Sequence, residues 1–77
     1  MTSSPMLVFE LTSEGDQLEI HADEEGLRRL KKHLEALLSG EQHVHLKTPA
    51  WGGSELGEEP QQEGHVALNH VKILCWR

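Results

Sequence analysis

Between Asp23 and Gly40 the residues Leu27, Leu30, Leu34, Leu37 and Leu38 recur at spacings of three, four, three and one, whereas the other ordered stretches of the chain alternate with a period of two. This contrast constrains the fold most, because a single amphipathic helix must share its core with several strands. Asp23 offers an N-cap carboxylate, Glu24 and Glu25 fall where the helix dipole favours acids, and Gly40 can end the helix.

In MLVFELT, residues 6–12, Leu7, Phe9 and Leu11 share one strand face, and the turn residues Ser13 to Asp16 lead into QLEIH, where Leu18 and Ile20 alternate with Gln17, Glu19 and His21. A hairpin is expected. Residues 42–47 alternate again, with Val44 and Leu46 inward and His43 and His45 outward. HVALNHVKILCW reads as a closing strand, with Ala67, Val71, Ile73 and Cys75 opposite Leu68, His70, Lys72, Leu74 and Trp76. Residues 48–64 lose all periodicity and gather glycine, proline and acid, so they form a long loop within one domain spanning 1–77, with mobility expected in its GEEPQQEG part. The expected fold is α+β: a β-β-α-β-β domain with a mainly antiparallel four-stranded sheet and one helix packed on one face.

A chain of 77 residues with 36% hydrophobic residues and a mean hydropathy of -0.51 has room for only a thin core. Seven basic against thirteen acidic residues give a net charge of -6, which disfavours nucleic acid and anionic membrane as partners. Residues 1–26 carry seven acids and no Lys or Arg, whereas Arg28 and Arg29 follow Glu24 and Glu25 at the i,i+4 spacing of helix ion pairs. No run approaches the roughly 18 apolar residues of a membrane span. Neither does MTSSPMLVFEL read as a secretory leader, so a cytoplasmic location is expected. A lone Cys75 allows no internal disulfide.

One helix covers one face of a sheet, so the other face must be wet, paired with a second copy, or occupied by a partner. With the helix on Leu7, Phe9, Leu11, Leu18, Ile20, Val44, Leu46, Val71 and Ile73, the opposite face shows Glu10, Glu19, His21, His43, His45, His70 and Lys72, with Leu74 and Trp76. A polar surface with an aromatic anchor suits recognition better than catalysis. The His43-x-His45 spacing admits a sheet-borne metal site, but no Cys or Asp supports it, and solvent-facing histidines or a pH-sensitive contact explain it as well. No cofactor is implied. The chain is read as a non-enzyme: Cys75 sits on the presumed core face, and WGGSEL lacks the spacing and the Lys-Ser/Thr of a phosphate loop.

In HVHLKTPAWGGSEL, Trp51 precedes Gly52 and Gly53. The ring either folds back as a lid on the core, or joins Glu55 and Leu56 in a surface that contacts another protein. Together with the helix segment GLRRLKKHLEALLSG and the closing NHVKILCW, this stretch resembles the immunity protein 32 family of bacterial polymorphic toxin systems over nearly the whole chain. His43, His45, Thr48, Trp51, Gly52, Gly53, Glu55, Leu56, Asn69, His70, Lys72 and Trp76 lie in the two stretches that carry the likeness. The resemblance implies a compact α+β cytoplasmic protein that binds and blocks a cognate toxin encoded beside it. An acidic inhibitor would suit a basic nuclease toxin. The alternatives are a self-associating interaction module, a homodimer through the uncovered sheet face, and a histidine-based metal-binding protein.

Overall fold

The computed structural model describes residues 5–77, so the first residues of the stretch read for a leader lie outside it. Strands β1 (Leu7–Leu11) and β2 (Leu18–Ala22) form the expected antiparallel hairpin, with Phe9 opposite Ile20 and Glu10 opposite Glu19. Helix α1 (Glu24–Leu38) begins at Asp23, whose side chain accepts a hydrogen bond from the Gly26 N–H at 2.7 Å. Strand β3 (His43–Lys47) follows, then one 3₁₀ turn (Pro49–Trp51), a short β4 (Val66–Ala67), and β5 (His70–Leu74).

The α+β class and the antiparallel pairing agree with the expectation, while the strands divide into two sheets, β2-β1-β4 and β3-β5. The division follows from the closing segment, which breaks at Leu68 and Asn69. Val66 and Ala67 pair with Leu11 and Glu10 of β1, and His70–Leu74 pairs with β3. The Leu68 N–H then donates to the Phe9 carbonyl, and the Thr48 N–H to that of Asn69, so the crossing backbone stays hydrogen-bonded.

The core collects Leu7, Phe9, Leu46 and Leu56, with Ala22, Leu30, Leu68, Val71 and Ile73 packed around it. Of the leucine stripe on α1 only Leu37 is fully buried, while Leu27, Leu34 and Leu38 stay exposed. Leu18 and Ile20, expected beneath the helix, are about half exposed. The chain turns directly from Ala22 through Asp23 into α1, so the helix reaches the Ala22 end of β2 and leaves the turn-proximal end of that edge strand uncovered.

The second face of the hairpin is not open. Residues 56–68 run back along β1: the Gly57 N–H donates to the Leu7 carbonyl at 2.9 Å, and the Gln61 N–H donates to the Glu10 carboxylate at 2.7 Å. Glu10, expected at the surface, is thereby buried, and so is Val8. The segment expected to be mobile is tied to β1 at Gly57 and Gln61, and His65 just beyond it bonds to Glu10. Among the described residues no helix is long and apolar enough to cross a membrane.

Candidate functional site

Residues directly opposed in an antiparallel ladder point to the same side. Because β3 and β5 pair His43 with Leu74, His45 with Lys72 and Lys47 with His70, these six residues share one face, and Val44, Leu46, Val71 and Ile73 take the other, toward the core. The structure thus brings His43, His45, His70, Lys72 and Leu74 together as the alternation predicted. Glu10, Glu19 and His21, expected on the same face, belong instead to the other sheet.

The imidazoles form a row. His45 Nδ1 and His70 Nε2 share a hydrogen bond at 2.8 Å, their rings stack with centroids 5.0 Å apart, and the edge of His43 meets His45 at 4.9 Å. His45 has its pKa held below the usual histidine value: partial loss of surrounding water acts first, then the positive charge of His43, His70, Lys72 and Lys47. Lys47 is therefore part of this face, although the alternation alone did not single it out.

Trp51 completes the row. It is 57% exposed and stacks on His70, with centroids 5.9 Å apart, so it is not a lid on the core; Leu56, only 3% exposed, fills that place. The loop holds this pose through its backbone. The buried Thr48 donates its hydroxyl to Asn69 Oδ1 at 2.8 Å, and its carbonyl accepts from both the Trp51 and Gly53 N–H groups. Gly52 ends the 3₁₀ turn at a φ of 84°, and a Cβ on Gly53 would come within 2.5 Å of the Lys47 carbonyl oxygen. Glu55 is spent on the scaffold as well, its Oε1 accepting from the Lys47 N–H at 2.9 Å. Of WGGSEL, then, Trp51 reaches outward, while Gly52, Gly53, Glu55 and Leu56 shape and anchor the turn. Trp76 is 93% exposed and lines, with His43, Leu74 and Cys75, a shallow cleft of about 240 Å³ at the end of the face.

A second constellation went unread in the sequence. Under residues 61–65, Glu10 is fully buried with Oε1 at 3.0 Å from His65 Nδ1 and 3.7 Å from His21 Nε2. Burial alone would raise the Glu10 pKa, but the Gln61 N–H, the His65 hydrogen bond and the positive charge of His21 and His65 outweigh it and leave it below the usual carboxylate value. The hairpin register could have placed Glu10, Glu19 and His21 side by side. His65, arriving from a loop more than 50 residues away in sequence, carries no such signal.

A family model described as Immunity protein 32 matches residues 17–71, which takes in the helix, β3, the Trp51 loop and the first two residues of β5. No curated protein and no solved structure matches the chain.

Proposed function

The chain belongs to the immunity protein 32 family, and we propose on that premise that it binds and neutralises a cognate bacterial toxin, without chemistry of its own, through the face formed by Trp51, His70, His45, His43, Lys72 and Leu74. The observation that carries this reading is the exposure of Trp51 while its position is held by the His70 ring and by a hydrogen-bonded turn. A positioned, exposed aromatic beside a polar face has the character of an interface hot spot. Trp76 and Leu74 extend the contact at one end. Gly52, Gly53, Glu55 and Leu56 contribute by holding the turn that presents Trp51. The reading is of a protein partner, met in the cytoplasm, with neither nucleic acid nor membrane bound.

The test is protection. Expression of this chain should restore growth to cells producing the toxin domain encoded beside its gene, and the purified pair should form a complex. Trp51→Ala, folded by circular dichroism, should weaken that complex by about 30-fold or more. Failure of the unsubstituted protein to protect or bind would refute the reading. A tight homodimer through Leu74 and Trp76, seen by sedimentation in place of the complex, would instead make self-association the function of this face.

A further inference from the structure

On the loop-covered side of the β1–β2 hairpin, Glu10, His21 and His65 each present one ligating atom, and the three atoms lie within 4.8 Å of one another. A fourth group joins them, for Glu19 Oε1 is 2.8 Å from His21 Nε2 and 4.0 Å from His65 Nδ1. We infer that this cluster is a zinc site, with Glu10, His21 and His65 as ligands and Glu19 closing the fourth position.

Three independent features carry the assignment. The first is spacing: bonds of about 2.0–2.2 Å at tetrahedral angles hold neighbouring ligand atoms roughly 3.3–3.5 Å apart. Four of the six edges of such a tetrahedron, 3.0, 3.7, 2.8 and 4.0 Å, straddle that distance. The second is the outer support that metal ligands characteristically have. In Glu10, Oε2 is held by the Gln61 N–H, and in Glu19, Oε2 accepts from Gln17 Nε2 at 3.0 Å, so each carboxylate turns its free Oε1 toward the histidines. The third is seclusion: the Glu10 side chain is fully buried, and those of His65 and His21 are 10% and 23% exposed.

Two carboxylates and two neutral imidazoles offer a net charge of -2 to a divalent ion, and a mixed set of two nitrogens and two oxygens suits zinc better than calcium or magnesium. The consequence is a clamp. Glu10, Glu19 and His21 belong to the hairpin and His65 to the returning loop, so one ion would fasten residues 61–65 to β1 and β2 in a protein whose core is thin. The site is separate from the Trp51 face and does not depend on the toxin-binding reading.

The experiment is zinc titration of the full-length, chelator-treated protein, followed by native mass spectrometry and by thermal unfolding. One zinc per chain and a raised melting temperature are expected, with no comparable effect from calcium or magnesium. His65→Ala and His21→Ala should each weaken zinc binding about 100-fold or more, whereas His45→Ala and His70→Ala should leave it within about 2-fold. In the unsubstituted protein, which needs no variant to fold, zinc should shift the imidazole nitrogen resonances of His21 and His65 and leave those of His43, His45 and His70 in place. Absence of stoichiometric uptake would overturn the inference. So would uptake that follows His45 and His70 instead.

Discussion

The indole of Trp51 lies against the imidazole of His70, the planes inclined by 30° and the centroids 5.9 Å apart. An exposed tryptophan left to itself would sample several rotamers and lose that freedom on binding. Here the stack restricts the ring beforehand, and the turn from Thr48 to Gly53 fixes the backbone beneath it. The face is therefore arranged before any partner arrives, which favours tight binding for a small contact area.

His70→Ala should weaken toxin binding, though less than Trp51→Ala does, because it frees the indole without removing it. The two losses should not add. A double-mutant cycle measured by calorimetry should return a coupling of about 0.5–1.5 kcal/mol, the range of aromatic pairs in contact. Strict additivity would mean that the stack does not organise the site.

Stability should fall as the solution is acidified below pH 6.5, the ordinary histidine value from which His45 is lowered. The sign follows from proton counts: a histidine whose folded pKa is depressed binds more protons unfolded than folded in the window between the two values. Its contribution is thus complete above 6.5 and lost as pH falls through the lowered value. Urea midpoints recorded from neutral pH down to pH about 5 should drop more steeply for the unsubstituted protein than for His45→Gln. Parallel slopes would assign the acid sensitivity elsewhere.

Local pattern made much of this legible. The helix with its Asp23 cap, the hairpin, the α+β class and the shared face of His43, His45, His70 and Lys72 all follow from periods of 3.6 and 2, which depend on neighbouring residues alone. What was hidden depends on long-range placement. Alternation marks Glu10 as outward, and it is outward, but the returning loop covers it. The break at Leu68 and Asn69 that splits the sheets is a two-residue event inside an apolar run. His65 and Glu10 meet only because the loop folds back, and no spacing in the sequence encodes that.

Gly26→Ala should destabilise the protein although it improves helix propensity. In an unhindered helix interior the change gains about 1 kcal/mol. Here a Cβ on Gly26 would fall 1.8 Å from the Met6 carbonyl oxygen. That carbonyl cannot easily retreat, because it accepts the Asp23 N–H at 3.1 Å where β2 turns into α1. The overpacking should cost about 1–3 kcal/mol net, read as a lowered urea midpoint at unchanged m-value. A raised midpoint would show that this junction is looser than its geometry indicates.

Charge should act differently at long and short range. The chain as a whole carries -6, yet the Trp51 face bears Lys47 and Lys72 beside three histidines. A basic toxin would be drawn by the net charge of the whole molecule over distances up to about a Debye length, while its last approach would meet like charge at Lys72. Raising salt from about 0.05 to 0.5 M should therefore slow association several-fold with little change in dissociation. Lys72→Gln should speed association modestly at low salt. Stopped-flow mixing of the purified pair, followed through tryptophan fluorescence, separates the two effects. Association that quickens with salt, or slows with Lys72→Gln, would mean that the partner meets this face with acidic groups, and the basic-toxin reading would have to be abandoned.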